Sequence, residues 1–220
     1  MSEMKVLLSG LGMPESPRWH GGRMWFCNWI DRQVVAVGLD GTAEVTAASG
    51  PSPMGYSIDW LPDGRLLVTG DKLRRQEPNG AMVTHAEQGG NEIVVDGRGR
   101  IYLNGADFDF SGGAAPKPGY IKLITPDGQL RQVAGDIQFP NGMVITPDHR
   151  TLIIAESFAG RLTAFDIDAD VTATPNYDYE VADPRFGYNV NQFPPNVVPD
   201  SQIGNQFFAD YFSSVGVPSQ

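Results

Sequence analysis

The chain has 220 residues, which is enough for one domain with a substantial hydrophobic core. Its 26 acidic and 16 basic residues give a net charge of −10, the wrong sign for binding nucleic acid or an anionic membrane surface. The N-terminal apolar stretch is too short for a signal peptide, no apolar run is long enough to span a bilayer, and the single cysteine cannot form an internal disulfide. We therefore expect a cytoplasmic protein that binds neither nucleic acid nor membranes.

A repeated unit of strand, tight turn and strand occurs four times in the first 170 residues. The second strand of every copy opens with an arginine, and the starts of the copies are 41, 35 and 50 residues apart. These steps bracket the roughly 40–45 residues of a four-stranded propeller blade. The four copies begin at Glu15, Tyr56, Asn91 and Asn141, and their arginines are Arg23, Arg65, Arg100 and Arg150.

A second hairpin follows the first in each unit, so that every unit contains four strands. Apolar residues alternate in these segments, as at Val34 and Ala36 or at Ile121 and Leu123, and helical periodicity is absent. The 26 glycines and 17 prolines suit many short strands joined by turns. The sequence predicts an all-β fold, a β-propeller of four-stranded blades with about four blades recognisable. A β-sandwich built from the same hairpins is the alternative.

The last 50 residues differ from the rest of the chain, with six prolines, five phenylalanines and no further clear repeat. Residues 177–181 read as the outer strand of the fourth blade, whereas a fifth repeat from Asn176 to Arg185 is the alternative. We accordingly divide the chain into propeller blades at 1–170 and a divergent segment at 171–220, rich in proline, phenylalanine and asparagine and of unknown role.

Polar residues occupy the first position of three of the four units. Glu15, Asn91 and Asn141 share this position with Tyr56. Tyr56, Asn91 and Asn141 each lie nine residues before the arginine of their unit, and Glu15 lies eight before its own. Rotation about the propeller axis relates equivalent residues, so these side chains are expected to meet around the central channel. One carboxylate and two amides suit a hard cation such as Ca²⁺, Mg²⁺ or Mn²⁺. The alternative is that the asparagines stabilise turns and Glu15 lies on a solvated surface.

Other catalytic chemistries lack their usual motifs in this sequence. It contains no Gly-x-Ser-x-Gly elbow, no His-Glu-x-x-His pair, no phosphate-binding loop and no paired cysteines. Serine hydrolase, zinc protease and nucleotide-binding functions are therefore not indicated.

The sequence resembles the SMP-30/gluconolactonase/luciferin-regenerating-enzyme family over about residues 6–170. Four motifs carry the resemblance in this order: Glu15-Ser-Pro-Arg-Trp19, the segment 91–102, the segment 139–157 with its Phe-Pro-Asn-Gly start, and Arg161-Leu-Thr-Ala-Phe-Asp166. The resemblance implies a six-bladed propeller that hydrolyses sugar lactones or related esters with one divalent cation, Ca²⁺, Mg²⁺, Mn²⁺ or Zn²⁺. It implies Glu15 and Asn141 as metal ligands, and Asn91 as a residue that contacts substrate or water.

Two features of the family pattern are missing here. The resemblance implies an aspartate in a Pro-Asp-Gly motif of the following blade as a further ligand and general base, but no such motif follows Asp170, so the catalytic residue is unknown. The arginine that some members place shortly before Asn91 is replaced by Gly89. The blades expected after the fourth are also not recognisable.

Three hypotheses follow from these departures. The first is a metal-dependent lactonase or esterase whose base comes from the tail or from a neighbouring subunit. The second is a non-catalytic propeller that binds metal, a small ligand or protein, and the third is a truncated family member. Open edges of the first and fourth blades require cover, from the phenylalanine-rich tail or from another copy of the chain in a homo-oligomer.

Overall fold

The structure, a computed structural model, describes residues 5–47, 55–108, 115–167 and 173–180. These residues form sixteen β-strands and no helix. The strands are β1 (Pro14–His20), β2 (Arg23–Asn28), β3 (Gln33–Val37), β4 (Ala43–Ala47), β5 (Ile58–Trp60), β6 (Leu66–Val68), β7 (Leu73–Gln76), β8 (Met82–Ala86), β9 (Ile93–Val95), β10 (Ile101–Ala106), β11 (Gly119–Ile124), β12 (Leu130–Ile137), β13 (Pro140–Ile145), β14 (Thr151–Glu156), β15 (Arg161–Ile167) and β16 (Ala173–Glu180).

Four antiparallel sheets of four consecutive strands arrange these elements as propeller blades. Blade 1 contains β1 to β4, blade 2 contains β5 to β8, blade 3 contains β9 to β12, and blade 4 contains β13 to β16. The predicted all-β propeller of four-stranded blades is confirmed. Strand β16 pairs with β15 through Tyr177 and Tyr179, so the interpretation of this segment as the outer strand of blade 4 is also confirmed.

The core lies between neighbouring blades because alternate residues of a strand point to opposite faces of its sheet. In β10, Ile101 and Leu103 pack against blade 2, whereas Tyr102 between them packs against blade 4. All three side chains are buried. A separate cluster of Cys27 and Val34 with residues of blade 2 joins the first two blades. Blades 2 and 3 are thus each packed on both faces by neighbouring blades, as a radial stack of sheets requires.

The turn between the first two strands repeats in all four blades. The residue directly before each repeat arginine has a positive φ: 75° at Gly22, 83° at Gly64, 78° at Gly99 and 57° at His149. Glycine adopts this left-handed backbone without strain, which explains why it occupies three of the four positions. His149 is the exception, and its ring Nδ1 accepts a hydrogen bond from the Gly97 backbone N–H at 3.4 Å.

The repeat arginines differ in burial although they share one position in the unit. Arg100 is buried and its Nε donates to Asp96 Oδ2 at 2.5 Å, while Asp96 also accepts the backbone N–H groups of Arg98 and Arg100. Arg65 pairs with Asp63 at 2.6 Å on an exposed turn. A buried carboxylate depends on its cation far more than an exposed one, because water cannot replace the lost partner.

Replacing Arg100 or Arg65 by methionine removes the positive charge and keeps most of the apolar part of the side chain. The two substitutions therefore compare the loss of the cation at a buried and at an exposed carboxylate. We expect Arg100→Met to lower the free energy of unfolding by about 3–5 kcal/mol, since Asp96 is left buried without its cation. Arg65→Met, the matched change at the equivalent turn, should leave the unfolding midpoint within error. Urea unfolding followed by circular dichroism measures both, and equal effects of the two substitutions would contradict the assignment.

Candidate active site

The starts of the inner strands lie together at one end of the propeller, around its central channel. Glu15 is in β1, Asn141 is in β13, and Asn91 lies two residues before the start of β9. Strands β1, β5, β9 and β13 neighbour one another in order around the axis. We call Glu15, Asn91 and Asn141 the channel-mouth ring, because the fold brings all three to this end.

Two members of the channel-mouth ring lie at irregularities of their strands. The pairing of β1 with β2 shifts register between Glu15 and Arg18, and the pairing of β13 with β14 shifts between Pro140 and Met143. Ser16, next to Glu15, has a φ of 53°, which is uncommon for a residue other than glycine. Such bulges redirect side chains and are frequent beside active sites. Glu15 and Asn141 therefore occupy equivalent positions in local geometry as well as in sequence.

The amide nitrogens of the ring are held by neighbouring groups. Asn141 Nδ2 donates to Ser157 Oγ at 3.1 Å, and Asn91 Nδ2 donates to the Pro140 carbonyl oxygen at 3.5 Å. Both amides are half-buried, and their oxygens are left as acceptors. Glu15 is also half-buried; burial raises the pKa of its carboxyl, and the Ser16 backbone N–H opposes this rise. The three side chains thus present oxygen atoms, which are the donors that hard divalent cations prefer.

Carboxylates and imidazoles do not form a separate metal cluster in the part of the chain that the structure describes. No group of three or more His, Cys, Asp or Glu side chains is found there. A metal ion at the channel mouth would accordingly depend on amide oxygens together with Glu15. This donor chemistry fits Ca²⁺ or Mg²⁺ better than a thiolate-seeking metal.

Asn104 is a residue of the site that the sequence analysis missed. Its side chain is fully buried, and its Nδ2 donates to the Asn141 carbonyl oxygen at 2.6 Å. Its backbone carbonyl accepts the Asn91 N–H at 2.8 Å, and its Oδ1 accepts the Glu92 N–H at 3.3 Å. Asn104 therefore ties the two ring asparagines to each other. The sequence signal that could have revealed it is a polar residue directly after the apolar run Ile101-Tyr-Leu103.

An ion pair between blades 1 and 3 lies next to the ring. Arg18 Nη2 donates to Glu92 Oε2 at 3.0 Å and to the Ile93 carbonyl oxygen at 2.9 Å, and Ser16 Oγ donates to the same Glu92 oxygen at 3.4 Å. Glu92 is buried, and burial raises its pKa to about 7, against the opposing effects of Arg18 and Ser16. The charge of Glu15 adds to the rise, which shows that the two carboxylates interact.

Tyr56 shares the repeat position of the ring but does not join it. Its side chain is fully buried between blades 1 and 2, and its hydroxyl donates to the carbonyl oxygens of Asn28 at 2.9 Å and Gln33 at 3.2 Å. The expectation that Tyr56 faces the other three is therefore wrong. A large aromatic ring gains more from the apolar core than from the channel, provided that its hydroxyl finds an acceptor.

Position 89 has no room for the arginine that some related sequences carry before the ring asparagine. A Cβ atom built on Gly89 lies 2.0 Å from the Gly70 carbonyl oxygen, which is far inside van der Waals contact. The following Gly90 donates its backbone N–H to the same carbonyl at 3.0 Å. The segment between β8 and β9 passes so close to the connection between β6 and β7 that position 89 requires glycine.

Comparison with known families agrees with this architecture. A family model described as the SMP-30/Gluconolactonase/LRE-like region matches residues 13–188. The chain belongs to this family, as its motifs predicted. A comparison with curated protein sequences yields no match.

Solved structures with the same fold are similar at low sequence identity. A gluconolactonase from Xanthomonas campestris shares 19% identity with a TM-score of 0.64, covering 78% of this chain and 64% of that one. Regucalcin from Agrobacterium tumefaciens, a calcium-binding protein, shares 20% identity with a TM-score of 0.61, covering 79% and 61%. Virginiamycin B lyase from Staphylococcus aureus shares 16% identity with a TM-score of 0.52, covering 79% and 57%. The chain thus spans less than two thirds of each neighbour's length, and the likeness shows the fold.

The raised pKa of Glu92 makes stability depend on pH. The folded protein holds the Glu92 proton up to about pH 7, whereas the unfolded chain releases it near 4.5. The contribution of this proton to stability is therefore complete below pH 4.5 and is lost as the pH rises towards 7. We expect the wild-type protein to lose on the order of 3 kcal/mol relative to Glu92→Gln over this range.

Urea unfolding of both proteins at several pH values between about 5 and 8 measures this difference. Glu44→Gln makes the same chemical change at an exposed carboxylate of blade 1 and should give a profile parallel to the wild type. Parallel profiles for the wild type and Glu92→Gln would contradict a buried, proton-holding Glu92.

Proposed function

We propose that the protein is a metal-dependent hydrolase of sugar lactones or related esters. The observation that supports this most is the channel-mouth ring, a carboxylate and two oriented amides that lie at equivalent positions of three blades in a member of the SMP-30/gluconolactonase family. The gluconolactonase among its structural neighbours adds support from the fold. A bound divalent cation would polarise the substrate carbonyl and lower the pKa of water.

Each residue of the ring has a distinct part in this proposal. Glu15 and Asn141 hold the cation through oxygen atoms, and the Ser157 hydroxyl keeps the Asn141 amide in the orientation that turns its nitrogen away. Asn91 orients the substrate carbonyl or the attacking water through its side-chain amide. Calcium is the favoured cation, because the regucalcin neighbour is described as calcium-binding and the donors are oxygens.

The general base has no assigned residue in this proposal. Glu92 has a pKa of about 7, but its carboxylate is buried and held by Arg18. Glu92 therefore holds the residues around the channel-mouth ring in place rather than taking part in the reaction. The sequence after Asp170 contains no Pro-Asp-Gly motif in which the family's aspartate would lie.

A second candidate is a propeller that binds a metal ion or small ligand without catalysis. The missing aspartate favours it, and the lyase among the structural neighbours illustrates that this fold serves more than one reaction. No helix in the described ranges is long and apolar enough to cross a membrane. The cytoplasmic location, the homo-oligomer, and the division between 1–170 and 171–220 stay predictions.

Lactone hydrolysis with added Ca²⁺, Mn²⁺ or Zn²⁺ and after chelation tests the proposal. We expect metal-dependent turnover that falls roughly 100-fold or more in Glu15→Gln, which removes the negative charge of the ring, and in Asn141→Ala, which removes an amide oxygen ligand. Glu44→Gln on the same blade is the matched control and should retain full activity.

Calorimetric titration with the same cations separates the two candidates. Metal binding that is lost in Glu15→Gln, without turnover of any lactone or ester, would support the binding protein over the hydrolase. Turnover that survives chelation, or that Glu15→Gln leaves unchanged, would contradict a metal-dependent hydrolase.

A further inference from the structure

Three phenylalanines lie at the same end of the propeller as the channel-mouth ring. Phe139 lies two residues before Asn141, and Phe158 directly follows Ser157, whose hydroxyl accepts a hydrogen bond from Asn141. Phe108 lies two residues beyond the end of β10. Because strands of a blade alternate in direction, the start of β13 and the ends of β10 and β14 are at this one end. We call these three residues the aromatic wall.

The rings of the aromatic wall contact one another. Phe139 and Phe158 are stacked, with ring centroids 4.2 Å apart and an interplanar angle of 20°. The Phe108 ring is 6.3 Å from Phe139 at 52°. Phe158 nevertheless leaves 47% of its surface exposed. A large hydrocarbon ring at the mouth of a channel, held in place and partly open to solvent, is typical of a surface that binds an apolar group.

The backbone beneath the stacked pair is fixed by several hydrogen bonds. The Ser157 N–H donates to the Phe139 carbonyl oxygen at 3.1 Å, and the Phe158 N–H donates to the Gln138 carbonyl oxygen at 3.2 Å. The Gln138 N–H donates to Glu156 Oε2 at 2.7 Å, and the buried Glu156 also accepts Arg161 Nε at 2.9 Å. The pair is therefore held in place before any ligand arrives, which reduces the entropy lost on binding.

Phe139 adopts a backbone conformation that is unfavourable for a bulky residue. Its φ is 58°, in the left-handed region that glycine prefers. The hydrogen bonds between 138–139 and 156–158 maintain this conformation, and strained residues of this kind cluster at ligand-binding sites. The strain at Phe139 aims its ring at Phe158, beside the bulge that carries Asn141.

The chemistry of this surface differs from what a polyhydroxylated sugar needs. Phenylalanine rings supply apolar area and no hydrogen-bonding group, whereas recognition of hydroxyls requires convergent donors and acceptors. Near Asn91, position 89 contributes no side chain, because a Cβ there would collide with the Gly70 carbonyl oxygen. The oxygen atoms of the channel-mouth ring suit a single carbonyl or ester group.

We propose that the aromatic wall binds an apolar alkyl or aryl substituent of the substrate while the ring engages its carbonyl. The substrate class is then a lactone or ester with a hydrophobic substituent rather than an unmodified sugar lactone. This inference rests on the proposed hydrolase function and specifies its substrate.

A pair of lactones with the same ring tests the inference on the full chain with added Ca²⁺. δ-Valerolactone has no substituent, and δ-decalactone carries a linear alkyl chain; glucono-δ-lactone is the polyhydroxylated comparison. We expect kcat/KM for δ-decalactone to exceed that for δ-valerolactone by about tenfold or more, since apolar contacts of a few methylenes discriminate on this scale. Phe158→Ala should bring this ratio towards one.

Two further variants separate specificity from folding. Phe139→Gly removes the second ring while keeping a residue that accepts a positive φ, and it should also lower the ratio. Leu39→Ala removes another exposed apolar side chain, 67% exposed against 47% for Phe158, from a turn of blade 1 and should leave the ratio unchanged. Thermal unfolding by circular dichroism checks that each variant is folded. A preference for glucono-δ-lactone, or a ratio that folded Phe158→Ala leaves unchanged, would overturn the inference.

Binding of lactams, in which an N–H replaces the ring oxygen, tests the wall if no lactone is hydrolysed. Calorimetry with the alkylated and unsubstituted lactams should show about tenfold tighter binding of the alkylated one, and Phe158→Ala should abolish this difference. That result supports the aromatic wall even when the hydrolase proposal has failed. Equal binding of the two lactams would overturn the wall as a ligand surface.

Discussion

The inner edge of each blade presents backbone N–H groups that have no neighbouring strand, and the structure depends on how these groups are paired. Ser16 Oγ accepts the Ile58 N–H at 3.4 Å, and Ser57 Oγ accepts the Ile93 N–H at 2.9 Å. The two serines occupy equivalent positions, directly after the first residue of their units. Unpaired N–H groups away from water are costly, so these side chains fix each inner strand against the next.

The geometry of the candidate site follows from this pairing. In blade 3 the serine position holds Glu92, which pairs with Arg18 of blade 1 instead of a backbone N–H of blade 4. The adjacent blade is joined by other means, because Asn104 donates to the Asn141 carbonyl and Asn91 donates to the Pro140 carbonyl. Two members of the channel-mouth ring, Glu15 and Asn91, directly precede Ser16 and Glu92 in the sequence. The third, Asn141, accepts the hydrogen bond from Asn104 through its backbone carbonyl. Side chains that close the inner edges therefore also set the positions of Glu15, Asn91 and Asn141.

Sequence spacing was sufficient for those parts of the fold that repeat within one blade. The turns before Arg23, Arg65 and Arg100 carry glycines whose φ values are positive, and such turns can be recognised without knowledge of the neighbouring blades. The ring residues were predicted because rotation about the axis relates equivalent positions. The shared position in the repeat did not predict the direction of each side chain, however. The Tyr56 side chain lies in the core, where its hydroxyl donates to two backbone carbonyl oxygens.

The contacts that the sequence did not reveal are those between blades. Arg18 and Glu92 are 74 residues apart, and Asn104 and Asn141 are 37 residues apart. Such pairs depend on the angle between successive sheets, which no local spacing encodes. Glu92 also illustrates a limit of motif reading, since burial, rather than a neighbouring motif, is the first cause of its raised pKa.

The ring and the aromatic wall differ in what they contribute to the fold. The ring residues belong to inner strands whose hydrogen bonds join the blades, so that substituting their supports affects structure and site together. The wall lies on turns at the rims of blades 3 and 4, and exposed Phe158 contributes little to the cores between blades. A surface of this kind can change its side chains at small cost in stability. In the proposed function, the ring supplies one polar centre for the carbonyl, and side chains at the rim select the substituent that accompanies it.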